Sequence, residues 1–338
     1  METNKISYNF LIRIWLLSMI ILVFLMIMVG GLTRLTDSGL SITEWELFEG
    51  ILPPLTKDKW IIYFNLYKEI PQFKLVNPLM TLEEFKVIFY WEYFHRLFGR
   101  VIGLVYLIPL IIFTFAKVFN KKSLIIFYFI FLLILLQGII GWYMVESGLT
   151  SNVSVSHYRL SLHLFLAFVI ISFLIWNYLN YKNNIKKEFF NLKSIFLKIF
   201  FIFILFQIII GAFVSGLDAG LIYQTWPKMN LSYFPDDVNI YKFDLLYLLS
   251  NQSFIQFLHR TVAYLITIFV LGIGIKMYIE KQFFYIKNYM IVFLVIFIQI
   301  ILGIFTLISG LNIYLASLHQ ITSIILVFTV LNLNHKLS

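Results

Sequence analysis

Eight apolar stretches, each long enough to cross a lipid bilayer, constrain the fold of this chain more than any other feature. A helix needs about 20 mostly apolar residues to span the hydrocarbon core of a membrane. Hydrophobic residues make up 61% of the chain and charged residues 13%, against about 25% charged residues in soluble proteins. We therefore predict an all-α integral membrane protein whose eight transmembrane helices lie at residues 11–32, 93–116, 123–146, 159–181, 194–215, 255–275, 285–309 and 314–334.

The positions of lysine and arginine orient these helices, because basic residues are retained on the cytoplasmic side of a membrane. Lysines follow the second, fourth, sixth and eighth predicted helices, whereas the short loops 147–157 and 310–313 contain neither Lys nor Arg. We predict that both termini are cytoplasmic and that the first helix is retained rather than cleaved as a signal peptide. The cytoplasmic loops account for the net charge of +9. The charge therefore gives no reason to expect a nucleic-acid partner, and the partner expected for the apolar helices is the lipid bilayer.

Two polar segments, 33–92 and 216–254, are much longer than the other connections. In the first, Thr81 and Glu84 form the Thr-x-x-Glu pattern of a capping box, which predicts that the second long helix begins well outside the membrane. Upstream, the aromatic-rich stretch Trp60–Tyr67 is typical of a short helix at the membrane interface. The first segment is therefore expected to contain helical structure of its own.

The two halves of the chain carry the same short motifs in the same order. The sequence Asp37-Ser38-Gly39-Leu40 after the first helix resembles Asp218-Ala219-Gly220-Leu221 after the fifth, and Gln137-x3-Gly141 resembles Gln299-x3-Gly303. These matches indicate that one four-helix unit occurs twice in parallel orientation. We predict an N-terminal four-helix unit at residues 1–185 and a C-terminal one at residues 186–338.

Four of the six histidines occupy equivalent places in this repeat. They open the second, fourth, sixth and eighth helices, 17 to 22 residues before the next cytoplasmic lysine: His95, His163, His259 and His319. That spacing corresponds to roughly 26–33 Å of helix, so each unit has two histidines near its extracytoplasmic face. Packing against a neighbouring helix would account for any one of them, but four ionisable residues at one depth indicate a function.

Two histidines on facing helices suit axial ligation of a haem iron, and a four-helix bundle accommodates the flat macrocycle. A zinc or copper site would need three or four convergent ligands, and the chain has no cysteine. We therefore predict one haem in each unit. Arg96 and Arg260 each follow a histidine and are the first candidates to bind haem propionates, with Arg34 and Arg159 as weaker ones. For Arg96 and Arg260 the alternative is an arginine that extends to the membrane interface.

One difference between the units concerns the residue three positions before a histidine. Glu92 shares a helical face with His95, whereas Gln256 takes this place before His259. A carboxylate beside a bound macrocycle can accept a proton, orient a water molecule or stabilise a developing positive charge, whereas an amide cannot take up a proton at accessible pH. The first unit is therefore the candidate for chemistry and the second for holding a permanent cofactor. A simple ion pair between Glu92 and Arg96 is the alternative.

Several longer motifs resemble those of the haem A synthase family. They are GGLTRLTDSGLSITEW, EYFHRLFGRVIG, VSGLDAGLIYQTWPKM, QFLHR and LHQ, in that order between Gly30 and Gln320. The chain is similar to the cysteine-free form of proteobacteria and mitochondria. The resemblance implies an enzyme of the bacterial inner membrane that oxidises the C8 methyl of haem O to a formyl group, through successive hydroxylations with oxygen from water.

The same resemblance implies roles for individual residues. His95 and His163 would ligate the substrate haem O, His259 and His319 would ligate a haem b cofactor, and Glu92 would be the catalytic carboxylate. It also implies two partners, namely the haem O synthase (a protohaem farnesyltransferase) that makes the substrate, and the assembly factors of a terminal oxidase. His157 stands where relatives usually have a different residue, and it is either an additional ligand or a loop residue.

Two other functions fit the same residues. A dihaem cytochrome b that only transfers electrons would hold two permanent haems of type b. A scaffold for haem delivery or export would hold one exchangeable haem and would be indifferent to replacement of Glu92. The sequence leaves open the electron acceptor, the route of haem O transfer, the helix arrangement around each haem, and the oligomeric state, with a homo-oligomer among the options.

Overall fold

The computed structural model describes residues 2–45, 49–150, 153–189, 195–239 and 244–337. Eight of the helices in these ranges are long and apolar enough to cross a membrane, which confirms the predicted all-α membrane fold. In chain order the helices are α1 (Glu2–Leu35), α2 (Lys57–Glu69), α3 (Pro71–Leu75), α4 (Leu82–Phe115), α5 (Lys121–Glu146), α6 (His157–Lys182), α7 (Ile195–Gly216), α8 (Leu245–Ser250), α9 (Gln252–Ile279), α10 (Ile286–Ile308) and α11 (Ile313–Leu337). Residue 194, the predicted start of the fifth span, lies outside the described residues.

The beginning of α4 is set by the predicted capping box. The Thr81 hydroxyl accepts a hydrogen bond from the Glu84 backbone N–H at 3.3 Å, and the Glu84 carboxylate accepts one from the Thr81 backbone N–H at 2.8 Å. These bonds satisfy N–H groups that have no partner inside the helix. Because α4 begins at Leu82, it continues without a break through Glu92 and His95, and both side chains are carried by one rigid element.

Two compact units, Met1–Ile170 and Ile171–Ser338, divide the chain within α6. In the first, α4 packs against α1 and α5. The Trp15 indole of α1 donates a hydrogen bond to the backbone oxygen of Val105 at 3.1 Å and packs against the rings of Tyr106 and Phe127. In the second, α7 and α10 each pack against α9 and α11. Three of the histidine-bearing helices thus pack against the membrane-spanning helix that precedes them in the chain, α4 against α1, α9 against α7 and α11 against α10.

The segment between α1 and α4 packs against the first turns of α4 through a cluster of aromatic side chains. Trp60 and Phe64 of α2 are buried against Phe85 and Phe89 of α4, and the predicted short helix over Trp60–Tyr67 is confirmed as part of α2. Tyr67 is also buried, and burial raises the pKa of its phenol. This packing holds the start of the segment, residues 40–42, against α4.

Candidate functional site

The structure brings His95 of α4 and His163 of α6 face to face. Their ring centroids lie 6.4 Å apart, with the ring planes inclined by 47°, and both imidazoles are partly exposed. A metal–imidazole bond is about 2 Å long, so this separation leaves room for one metal atom between the two rings. The predicted pairing of these two histidines is therefore present in the geometry of the first unit.

Each of the four histidines rests against a glycine of a neighbouring helix. The position that a Cβ would occupy on the glycine lies 2.8 to 3.2 Å from the Cε1 atom of the histidine, in the pairs Gly30–His95, Gly141–His163, Gly303–His319 and Gly211–His259. At Gly30 and Gly141 the distance is below 3.0 Å, so a side chain there would have to displace the imidazole ring, and at Gly303 and Gly211 the ring would have to shift by a few tenths of an ångström. The four glycines, called the glycine seats below, therefore help to fix the positions of the imidazole rings.

Three of the seats carry a glutamine one helical turn before the glycine. The side-chain amides of Gln137, Gln207 and Gln299 donate hydrogen bonds of 2.9 to 3.0 Å to the backbone oxygens of His163, His259 and His319 respectively. Sequence analysis used Gln137 and Gln299 only as markers of the repeat and missed Gln207. The signal was available, because Gln207-x3-Gly211 has the same spacing as the other two motifs.

The surroundings of the imidazole Nδ1 atoms bear on whether these histidines fit a haem. Within the described ranges, Nδ1 of His95, His163 and His259 has no hydrogen-bond partner, while Nδ1 of His319 lies 3.1 Å from the backbone oxygen of Gln299. A bond from one ring nitrogen to a carbonyl oxygen is typical of a histidine whose other nitrogen binds metal. No three His, Cys, Asp or Glu side chains converge on a metal site in the described part of the chain. In the first unit, where the two rings face each other, a pair of imidazoles therefore fits a haem better than a bare metal ion.

Glu92 is buried, with 2% of its surface exposed, and its carboxylate is surrounded by donors. Oε2 accepts from the Ser41 hydroxyl and from the Ile42 backbone N–H, both at 2.8 Å. Oε1 accepts from Nε and Nη2 of Arg96 at 3.0 and 2.7 Å. The ion pair with Arg96 that we considered as the alternative is thus present, together with two contacts to the loop after α1. Ser41 is a site residue that sequence analysis did not find.

Gln256 makes the corresponding contact in the second unit with the opposite polarity. Its amide donates to the backbone oxygen of Tyr223 at 2.8 Å, and Nη2 of Arg260 donates to the same oxygen at 3.0 Å. Tyr223 occupies the place in its loop that Ile42 occupies in the first, and Arg96 likewise donates to the Ile42 backbone oxygen at 2.8 Å. Both units therefore hold the loop after their first helix through the residues at −3 and +1 from a histidine.

The remaining arginine candidates stand near helix ends. Arg34 forms an ion pair of 2.8 Å with Asp37, and Arg159 stacks over the Tyr143 ring at 4.7 Å and donates to the Ser147 hydroxyl. Nε of Arg260 is buried and has no partner among the described residues. Binding of haem propionates by Arg34, Arg96, Arg159 and Arg260 stays a prediction.

Two further groups lie near these sites. His157 is the first residue of α6, and its ring centroid is 4.1 Å from that of Tyr158.

In the loop after α7, Asp237 accepts hydrogen bonds from Ser253 at 2.6 Å and from Tyr223 at 2.8 Å. Burial opposes the charge on Asp237, but the two hydrogen bonds outweigh it and lower the pKa of the carboxyl. Asp237 thus anchors the loop that Gln256 also holds.

The fold and these contacts define a multi-pass membrane protein with paired histidines on its transmembrane helices. The family model of the cytochrome oxidase assembly protein COX15-CtaA matches residues 13–331. The protein named Heme A synthase of Pelagibacter ubique (strain HTCC1062) is 49% identical over 328 residues, which cover 96% of each chain. Its namesake in Rickettsia bellii (strain OSU 85-389) is 40% identical over 94% of this chain and 95% of that one, and the one in Wolbachia pipientis wMel is 39% identical over 93% and 89%. The chain belongs to the haem A synthase family and is an oxidoreductase.

Proposed function

We propose that this chain is a haem A synthase of the bacterial inner membrane, with its two haem sites near the extracytoplasmic face. It converts the C8 methyl of haem O into a formyl group. Haem O would come from a haem O synthase, and the product would serve the assembly of a terminal oxidase. The observation that supports this function best is the contrast between two otherwise equivalent loop contacts, one made by a buried carboxylate and the other by an amide.

In this proposal the first unit binds the substrate. His95 and His163, with ring centroids 6.4 Å apart, hold the iron of haem O, and their glycine seats fix the height of the macrocycle along the helices. Arg96, Arg34 and Arg159 are the cationic groups that would meet the propionates in this unit. Because Glu92 lies one helical turn before His95 on the same face of α4, its charge would lie close to the bound substrate.

In the second unit His259 and His319 would hold haem b, and Arg260 would bind its propionates. When bound, haem b supplies a one-electron acceptor and relay. The glutamines Gln207 and Gln299 fix both ligand-bearing helix segments from the neighbouring helices. This unit has no carboxylate at the position of Glu92, so it provides electron transfer without substrate chemistry.

The reaction balances as two successive two-electron oxidations. In the first, a C–H bond of the methyl group is replaced by a C–O bond to a water oxygen, two protons are released to solvent, and two electrons pass to an external electron acceptor. The second oxidation repeats this on the alcohol, and the resulting geminal diol loses water to give the formyl group. The charge of Glu92 would stabilise the positive charge that develops at the carbon. Ser41, Ile42 and Arg96 keep its carboxylate in one orientation while this happens.

The function is tested by extraction of haems from cells that express this chain together with a source of haem O, followed by chromatographic separation. We expect haem A, with the alcohol intermediate as a minor species. Absence of both products would contradict the proposal. Two permanently bound b-type haems without a product would identify an electron-transfer cytochrome instead, and a single exchangeable haem would identify a delivery or export scaffold.

A further inference from the structure

The four histidines share a set of neighbours that repeats with every helix pair, and this set differs at one of the four sites. Each histidine rests on a glycine, and each is followed four residues later by a small residue on the same helical face: Gly99, Ala167, Ala263 and Ser323. The residue one turn before the seat glycine is glutamine in α5, α7 and α10. In α1 it is Met26.

The glutamine forms a bond that methionine cannot. Gln137, Gln207 and Gln299 each donate to the backbone oxygen of the histidine they face. A backbone oxygen within a helix already accepts a hydrogen bond from an N–H of the same helix. The glutamine therefore adds a second hydrogen bond, which links the histidine backbone to the neighbouring helix and is called the tie below. Met26 is apolar, and its terminal methyl lies 3.6 Å from the position that a Cβ would occupy on Gly99. Met26 thus lies beside Gly99, one helical turn after His95, and cannot bond the His95 backbone oxygen as a glutamine would.

We infer that Gln137, Gln207 and Gln299 are positioning residues for haem-ligating histidines. His95 lacks this hydrogen bond from a glutamine, and we infer that it is the ligand that dissociates from the iron when haem enters and leaves. This inference rests on the proposed function. It places both tied histidines of the second unit, His259 and His319, around the cofactor that stays. In the first unit His163 is held by the hydrogen bond from Gln137, whereas His95 has no such bond. This arrangement suits a substrate site, because one ligand can leave the iron while the product is released.

The test measures how fast each haem leaves the full-length protein. Wild type and variants are purified in detergent, loaded with haem O and haem b, and mixed with excess apomyoglobin, and the transferred haem is identified by chromatography. We expect Met26→Gln to slow the transfer of haem O about fivefold, the effect of one neutral hydrogen bond. Gln207→Met and Gln299→Met should each speed the transfer of haem b by a similar factor.

A second readout separates positioning from general damage. In the two glutamine variants, the g values of the low-spin ferric haem b and its midpoint potential should shift, while those of the haem in the first unit stay as in wild type. Partial unfolding would speed the release of haem, so slower haem O transfer from the Met26→Gln variant cannot arise from it.

The outcomes distinguish the inference from the function on which it rests. If all variants release both haems at wild-type rates with unchanged spectra, the glutamines do not position the ligands and the inference is wrong. If wild type takes up no haem O at all, the proposed function fails first, and the inference fails with it.

Discussion

The loops after α1 and after α7 are held in place by equivalent residues that use opposite hydrogen-bonding polarity. In the first unit the carboxylate of Glu92 accepts from the backbone N–H of Ile42. In the second the amide of Gln256 donates to the backbone oxygen of Tyr223. The arginine four residues later donates to the same loop residue in both cases. The hydroxyl of Ser41 completes the first site, whereas the equivalent residue in the second loop is the apolar Ile222.

This difference shows that holding the loop does not require a carboxylate. The second unit performs that task with an amide that is as buried as Glu92. A buried ion pair loses several kcal/mol of hydration per ion, and its Coulomb attraction often only offsets that loss. The charge in the first unit therefore has a reason other than stability, and the conversion of a substrate beside it is the reason we propose.

Removal of a histidine should give the largest effect and should separate the two units. We expect His163→Ala to abolish haem A formation while the protein retains haem b, because only the substrate site loses a ligand. His319→Ala should instead lose haem b from the purified protein. Haem content by chromatography and absorption spectra of the bound haem measure both outcomes, and each variant is the control for the other. Loss of the same haem from both variants would contradict the division of roles.

The glycine seats predict a graded effect of adding one methyl group. A Cβ on Gly30 would lie 2.8 Å from His95, and one on Gly211 would lie 3.2 Å from His259. Overpacking of this kind costs about 1–3 kcal/mol, so Gly30→Ala should reduce haem O binding more than Gly211→Ala reduces haem b binding. Gly138→Ala on α5 is the control, since no heavy atom of the described residues lies within 4 Å of its Cβ position. Equal losses in all three variants would show that the seats do not matter.

A smaller effect is expected of Ser41→Ala, which removes one of the donors to Glu92. A hydrogen bond to a charged group contributes about 1.5–3 kcal/mol, and the remaining donors keep the carboxylate near its place. We expect roughly tenfold slower haem A formation with unchanged haem b content. Ser38→Ala in the same loop, whose hydroxyl bonds Thr36, should have wild-type activity. An unaffected Ser41→Ala variant would mean that the orientation of Glu92 is set by Arg96 and the backbone alone.

Features that depend on short stretches of sequence were predictable. The eight spans follow from apolar length, and the start of α4 follows from Thr81 and Glu84, because a capping box involves residues only three apart. The interfacial helix at Trp60–Tyr67 followed from its aromatic composition. The equivalent placement of the four histidines followed from repeated motifs.

Contacts between distant residues were not predictable in the same way. Ser41 reaches Glu92 across 51 positions and Gln207 reaches His259 across 52, and nothing in the local pattern of either residue indicates its partner. The ion pair of Glu92 with Arg96 could be anticipated because the two residues are one helical turn apart. Its additional bonds to a loop depend on the packing of α2 against α4, which periodicity does not reveal.

The central claim is that the carboxylate of Glu92 acts on the substrate rather than only on the loop, and the variant Glu92→Gln tests it most directly. It gives the first unit the residue that the second unit already uses. Haems extracted from cells that supply haem O are separated and compared with wild type at equal haem b content, with Glu83→Gln on the same helix as the control. The account predicts a folded protein with haem b, accumulation of haem O or the alcohol intermediate, and at least about 100-fold less haem A. Haem A at the wild-type level would contradict the account and leave Glu92 a structural residue.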